Sequence, residues 1–313
     1  MALAAVLDPV TKSSAAVFYY SQVKDRYNLA MRLFSLVGGS DSKYTDFNTS
    51  KSTATASSHL AAANFLGAMR VYGVATIPKV DTAPGDTTEV ITQVSPVFNP
   101  VDKPSESRVQ VPARVPLAVC EVTKGSVSTG YMSYLKEIDG RLQIVTYTIT
   151  SSRSTSRITD RGLHAQSKLA SCSILQKPCL FYQGSGKDVN FYNLTDGSTT
   201  TVKNTGGMAL GSQLAATTVG DAIYVYFRTD DNKLVRVQGS GLKWTGQQEV
   251  SSHEINADSN ISLVVHATPE GETDIHHFFW SGTEPIHESV TSDEQAFLDM
   301  MEQDDDDIVV VEY

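Results

Sequence analysis

The chain has 313 residues, 41% hydrophobic and 19% charged, with 21 glycines, 11 prolines, three cysteines and a formal net charge of −10. Eleven acidic residues and no Lys or Arg lie between Ser281 and Tyr313; without them 24 acidic residues face 25 basic ones. A body so nearly neutral excludes a general nucleic-acid binder, which needs a concentrated basic face to displace phosphate counterions.

The start, MALAAVLDPV, lacks a basic n-region and is too short an apolar stretch for a secretory signal. No apolar run approaches the roughly 18 to 20 residues that span a bilayer. These features predict a cytoplasmic protein with no membrane span.

Self-similarity organises the rest. Short apolar strings surround a leucine six times, as ALAAV at Leu3, HLAAA at Leu60, PLAVC at Leu117, KLASC at Leu169, QLAAT at Leu214 and SLVVH at Leu263, with spacings of 57, 57, 52, 45 and 49 residues. An aromatic, β-branched string follows each one: AVFYYSQ, MRVYGVA, YMSYL, CLFYQ, IYVYF and IHHFFW. Most units then carry a third alternating string, YNLAMRLFS, EVITQVS, RLQIVTYTI, DVNFYNL or KLVRVQG. Period-2 alternation is the signature of strands with a buried face, and Asp139-Gly140, Gly184-Ser185-Gly186 and Asp230-Asp231-Asn232 supply hairpin turns.

Units of this length fit the four-stranded blades of a propeller. The prediction is an all-β, six-bladed β-propeller over residues 1–290, with antiparallel blades of three or four strands. Small residues in the first string of a unit (Ala4, Ala5, Ala61, Ala62, Ala118, Ala215 and Ala216) suit a crowded axis. The proline-rich stretch between Ile77 and Val115 and the polar stretch Arg153 to Lys168 read as insertions overhanging one mouth.

Cys120, Cys172 and Cys179 have no metal-knuckle or redox spacing and read as buried small hydrophobes. Residues 291–313 form an acidic tail with a short helical candidate, DEQAFLDMMEQ, and a candidate closing strand, IVVVEY. The Asp304 to Asp307 run lacks the spaced ligands and turn glycine of a calcium loop, so no metal is expected.

The strings SHLAAANFLGAMRVYG, GSQLAATTVGDAIYVYFRTDDNKLVRV and GLKWTGQQ resemble the blade pattern of fungal fucose-binding lectins. That resemblance implies a sugar site built from an Arg on the second strand, a Glu on the third and an aromatic wall. Arg70 falls on the arginine and Glu89 on the glutamate. Elsewhere the matching positions are Val17, Tyr131 or Met132, Cys179 or Leu180, Ile223 and His276, so five of the six sites lack the arginine. A multivalent lectin depends on repeated sites, and their loss argues for another use of the scaffold.

The chain also looks like the fungal hetero-Diels–Alderases of tropolone–sesquiterpenoid biosynthesis, through degenerate lectin-type blades, size and the absent signal. This resemblance implies a cofactor-free reaction. Water leaves a hydroxymethyl tropolone, and the resulting quinone-methide heterodiene adds to a humulene-type alkene to close a dihydropyran. Such chemistry needs a proton donor, polarising hydrogen bonds and an apolar wall.

Those demands nominate Arg70, His266 and His276 as catalytic residues and Tyr72, Glu89, Tyr182, Tyr224, Trp244 and Trp280 as substrate-binding residues. His276 and His277 must face opposite sides if IHHFFW is a strand. The expected partners are small hydrophobic organic molecules, a tropolone and a terpene, with sugar as an alternative ligand. A dimer is compatible with the sequence. A fucose-type lectin and a protein-interaction propeller are the alternative functions.

Overall fold

The computed structural model describes residues 2–23, 26–38, 42–45, 59–78, 87–97, 99–101, 115–150, 154–159, 162–240 and 243–292. The acidic tail beyond 292, with its helical and closing-strand candidates, lies outside the described residues.

Six antiparallel sheets follow one another along the chain. Blade 1 comprises β1 (Leu3–Leu7), β2 (Ser14–Val23), β3 (Arg26–Ser35) and β4 (Ser42–Thr45). Blade 2 comprises β5 (Ala61–Phe65), β6 (Ala68–Pro78), β7 (Thr87–Ser95) and β8 (Asn99–Pro100). Blade 3 holds β9 (Leu117–Lys124), β10 (Val127–Ile138), β11 (Arg141–Ile149) and β12 (Ser154–Thr159). In blade 4 the strands are β13 (Leu169–Ile174), β14 (Lys177–Gln183), β15 (Val189–Asn193) and β16 (Thr199–Thr201). Blade 5 has β17 (Leu214–Val219), β18 (Ala222–Arg228), β19 (Leu234–Ser240), β20 (Lys243–Trp244) and β21 (Gln248–Glu249). Blade 6 has β22 (Ser262–Ala267), β23 (Thr273–Ser281) and β24 (Glu284–Thr291).

The first strand of each blade touches the first strand of the next, and β22 touches β1, which closes a six-bladed propeller. One sequence expectation is corrected here. Ser154 to Thr159, read as part of a polar insertion, is the outer strand of blade 3, paired with β11 from Ile144↔Thr159 to Ile149↔Ser154. The stretch is rich in Ser, Thr and Arg rather than in an alternating apolar string, and that composition disguised the strand.

Alternation places both faces of each central strand in a core. In β18, Ile223, Val225 and Phe227 join the cluster between blades 4 and 5, while Tyr224 and Tyr226 join that between blades 5 and 6. Each large apolar side chain buried in this way contributes on the order of 1.5 to 3 kcal/mol. Trp244 lies against Gly239, where any side chain would collide with its ring.

Every blade is contiguous in sequence, so blades 6 and 1 share no strand among the described residues. Their seam is held by Leu3, Ala5, Val17, Phe34, Val264 and Phe278 packed as one cluster. Ser262 Oγ accepts from Ala5 N at 2.7 Å, and Asn260 Nδ2 donates to Leu3 O at 3.2 Å.

Candidate functional site: the axial mouth and the blade seams

Where the six inner strands converge, a cavity of about 140 Å³ runs along the axis. Its walls are the residues expected there, among them Ala4, Ala5, Ala61, Ala62, Ala118, Ala215 and Ala216. In the sixth blade Ile261 takes the place of the axial leucine, two residues ahead of the Leu263 string, since Asn260, Ile261 and Ser262 line the cavity as Gln213, Leu214 and Ala215 do.

The residues before the axial leucines and isoleucine are Ala2, His59, Pro116, Lys168, Gln213 and Asn260, and four of them, His59, Pro116, Gln213 and Asn260, line the cavity. A repeated serine fixes three of them. The Ser167 hydroxyl donates to Lys168 O at 3.0 Å and accepts from Gln183 N at 2.9 Å. Ser212 donates to Gln213 O and accepts from Arg228 N, both at 2.8 Å. Ser259 donates to Asn260 O at 2.8 Å and accepts from Trp280 N at 2.7 Å. Each clamp satisfies a buried N–H that would otherwise cost about 1 to 3 kcal/mol, and so holds the next side chain at the axis.

Blades 2 and 5 lie opposite each other in the ring, and their mouth residues meet across it. Gln213 Nε2 lies 3.0 Å from His59 Nε2, and both residues are buried. An amide nitrogen only donates, so His59 Nε2 accepts and the ring proton resides on Nδ1. Asn260 Nδ2 reaches Leu60 O at 3.4 Å as well as Leu3 O. The axial cavity therefore combines small aliphatic side chains with a mostly polar facing surface and one polar crossbar, an arrangement suited to a small, poorly charged ring with oxygen substituents.

The sequence-predicted residues occupy the seams between blades. Arg70 pairs with Ala63, three residues beyond the axial Leu60. The same register assigns Ala16 to blade 1, Tyr131 to blade 3, Cys179 to blade 4, Tyr224 to blade 5 and His276 to blade 6. Two sequence alignments are thus corrected by one residue, Val17 to Ala16 and Ile223 to Tyr224. A longer connection between β1 and β2 accounts for the first slip, whereas blades 2 and 5 have the same two-residue turn and the same offset from the axial leucine, so Tyr224 was readable from the spacing.

In the seam facing blade 3, Arg70 Nη1 donates to Gln93 Oε1 at 3.0 Å and Nε donates to Phe65 O at 3.3 Å. Its guanidinium stands 5.1 Å from the Phe65 ring centroid. Tyr72 is buried beside it; burial raises the phenol pKa, and the Arg70 charge and hydrogen bond oppose that rise. Glu89, the expected partner, is elsewhere: it pairs with Thr76, six residues further along β6, or about 20 Å at strand rise. Gln93, opposite Tyr72, takes the third-strand position instead.

The seam between blades 6 and 1 holds histidines. His276 Nδ1 lies 2.9 Å from His287 Nε2, and the His266 and His276 ring centroids are 5.8 Å apart. His287 stacks on Phe278 at 4.6 Å and meets Phe34 edge-on at 5.4 Å. Burial, then the His287 charge, pushes the His276 pKa down to about 4, against a smaller upward pull from Asp274. His277 points to the opposite face, as expected for a strand, with Nε2 3.3 Å from Glu288 Oε2. Burial lowers the His277 pKa despite that carboxylate. Burial alone would raise Glu288, yet hydrogen bonds from Ser251, His253 and His277 hold it below its usual value.

The predicted aromatic wall is not assembled into one pocket. Tyr182 packs between blades 3 and 4, Tyr224 between blades 5 and 6, and Trp244 against the cluster of blades 4 and 5. Trp280 meets Tyr19 edge-on at 6.0 Å between blades 6 and 1. In blade 5 the buried Arg236 lies 5.4 Å from the Tyr224 ring and donates to Gln248 Oε1 at 2.9 Å.

Sequence reasoning missed His59, Gln213 and Asn260. The signal was present as a serine two residues before the axial residue in Ser58-His59-Leu60, Ser167-Lys168-Leu169, Ser212-Gln213-Leu214 and Ser259-Asn260-Ile261.

The three cysteines are free and buried. Burial pushes Cys120 and Cys179 up to about 12 and Cys172 well above its ordinary value, which leaves inert thiols. Among the described residues no group of three His, Cys, Asp or Glu is arranged to hold a metal ion, and no helix is long and apolar enough to cross a membrane.

Solved structures share this architecture. AofleA from Arthrobotrys oligospora superposes with a TM-score of 0.64 at 11% identity, covering 92% of this chain and 82% of its own. The Aleuria aurantia lectin, described as a six-bladed β-propeller with a novel fucose recognition mode, gives a TM-score of 0.64 at 14% identity over 94% and 92%. SapL1 lectin, solved with α-methyl fucoside, gives 0.55 at 15% over 94% and 96%. No family model matches the chain, and no curated protein matches it significantly. The shared feature is the fold.

Proposed function

We propose that this propeller is a cofactor-independent hetero-Diels–Alderase, joining a tropolone quinone-methide heterodiene to a humulene-type alkene to form a dihydropyran. The observation that carries this reading is the single axial cavity with one crossbar, His59–Gln213, on a scaffold whose second-strand seam arginine occurs in one blade of six. A repeated-site binder would have kept six equivalent seams.

The heterodiene forms by net loss of water. The exocyclic C–O bond breaks and the departing hydroxyl takes the proton of the tropolone ring hydroxyl, so that water leaves and the heterodiene is neutral. The neutral His59 imidazole donates a hydrogen bond from Nδ1–H to the departing oxygen and keeps its proton. Gln213 and Asn260 orient the oxygens. The cycloaddition then forms one C–C and one C–O bond with no further proton transfer.

The test is incubation of purified protein with a hydroxymethyl tropolone and a hydroxyhumulene. Enhanced rate and one stereoisomer are expected, and His59→Ala should lose about 100-fold of the acceleration, the low end for removing one hydrogen-bond donor to developing charge. Product ratios equal to the spontaneous background exclude this reading.

A second reading, a lectin with one residual site, is favoured by the Arg70, Tyr72 and Gln93 cluster at a blade seam and by the fucoside in the SapL1 structure. It predicts fucoside binding that vanishes in Arg70→Ala. No binding at millimolar sugar removes it.

A further inference from the structure

The strands that line the axis begin at the crossbar mouth, so the hairpin joining the first and second strands of each blade emerges at the opposite end. The turn between third and fourth strands emerges there too. That end carries Val10 and Val37 from blade 1, Leu66 and Val97 from blade 2, Val127 from blade 3 and Leu175 from blade 4. Among the described residues these are all the exposed large hydrophobic side chains except Leu210. Val10 is 87% exposed and Leu175 73%, so neither packs the ring. Exposed aliphatics scattered singly are ordinary, but a set gathered at one end of four consecutive blades marks a contact surface.

Charge divides the same end. Exposed Lys12, Lys124 and Lys177 stand in or beside the hairpins of blades 1, 3 and 4. Two carboxylates in the turns of these blades, Asp8 and Asp196, accept from the amides of Val10 and Ser198 at 2.9 and 2.8 Å. The corresponding hairpin of blade 5 exposes Asp221, and that of blade 6 exposes Glu270 and Glu272. Blades 1 to 4 thus form an aliphatic arc bearing lysines, and blades 5 and 6 an acidic one.

The last described strand finishes at this end. In β24, Thr291 stands opposite Asp274, and Ser292 N donates to Thr273 O at 2.7 Å. Residues 293–313 follow, outside the described residues, with nine carboxylates, no Lys or Arg, and apolar Phe297, Leu298, Met300 and Met301 ahead of the Ile308 to Val311 run. Asp221, Glu270 and Glu272 repel so acidic a segment from blade 5, and the lysines attract it across blade 1. A stretch of this length reaches up to about 70 Å when extended, and packed sheets stand about 10 Å apart. It is long enough to cross the whole arc.

We propose that the arc of blades 1 to 4 is a docking surface for an acidic, apolar peptide, and that its occupant is residues 293–313 of the same chain. The lysines set the direction of docking, and the aliphatic tips supply the apolar contact. Docking at this end leaves the crossbar mouth open.

The test attaches a nitroxide to Gln303→Cys in the full-length protein, whose three native cysteines are buried and stay unlabelled. Methyl resonances of Val10, Leu66, Val127 and Leu175 should broaden, and those of Leu210, at the mouth end, should not. Reversing three charges together, as Lys12→Glu, Lys124→Glu and Lys177→Glu, should cut the broadening at least about threefold, the sum of three weak surface attractions. Salt at about 1 M, where screening acts within about 3 Å, should do the same. Unchanged Leu210 and Leu263 resonances report that the variant is folded. No broadening at the four tips overturns the proposal, and so does broadening that survives charge reversal, which reflects the tether alone. Broadening seen only between nitroxide-bearing and isotope-labelled chains in a mixture makes a second copy the occupant and overturns it. Sedimentation of the full-length protein with phosphatidylserine vesicles, abolished by Val10→Asp, assigns the arc to a lipid surface and overturns it as well.

Discussion

The seam between blades 2 and 3 and the seam between blades 6 and 1 are built on the same register, with Arg70 in the first where the second has His276. Arg70 is permanently charged, half-buried, and linked to Gln93, Phe65 and Tyr72. His276 is buried, neutral at ordinary pH, and linked to His287 within 2.9 Å. A planar fork that cannot lose its proton suits a fixed polar contact. A pair of imidazoles that shares one proton makes its seam sensitive to acid. One backbone position thus supports two kinds of seam, and the difference is chemical.

Acidification should separate the two most strongly. The unfolded chain protonates His276 below its ordinary pKa of 6.5, whereas the folded chain resists until about 4. The unfolded state then binds more protons between pH 6.5 and about 4, so stability falls as pH drops through that window and is flat above it. The expected loss is about 2 to 3 kcal/mol after allowance for solvent screening. It is measured as the urea midpoint at pH 7 and pH 4.5, with His276→Phe as a control that flattens the slope. An unchanged slope in that variant would assign the acid sensitivity to other groups.

Arg70→Ala should act at every pH alike. It strands the Gln93 acceptor and removes the guanidinium from the Phe65 face, at a cost of about 1 to 2 kcal/mol. Arg70→Lys restores the charge without the fork and should recover less than half of it, judged by chemical denaturation. Equal recovery would make Arg70 a simple point charge. Trp280→Phe, at the rim of the histidine seam, is expected to cost less than about 1 kcal/mol through its edge contact with Tyr19, with the pH slope unaltered.

Much of the fold was legible because its signals are local. The aromatic strings AVFYYSQ to IHHFFW are β2, β6, β10, β14, β18 and β23, and the alanines of the first strings do line the axis. The seam positions were nearly legible; Tyr131, Cys179 and His276 were named correctly or as one of two choices, while Ala16 and Tyr224 were missed by one residue. A one-residue slip turns a strand side chain to the other face; a string match does not constrain the longer β1–β2 connection that moved Ala16, while Tyr224 stands at the same offset from its axial leucine as Arg70. Glu89 was misplaced relative to Arg70 because β6 and β7 run on well past the arginine, so that Glu89 pairs with Thr76 near the far end of the hairpin while Gln93 lies opposite Tyr72. His59 and Gln213 were illegible as a pair. They are 154 residues apart, and only closure of the ring brings them together.

Among the described residues the ring closes with no strand shared between blades, which has an architectural consequence. Each described sheet is a cassette drawn from its own stretch of chain. The seam between blades 6 and 1, like that between blades 1 and 2, is packed side chain on side chain from neighbouring faces. A circular permutation cut between two blades would preserve every described sheet and change which seam is closed last.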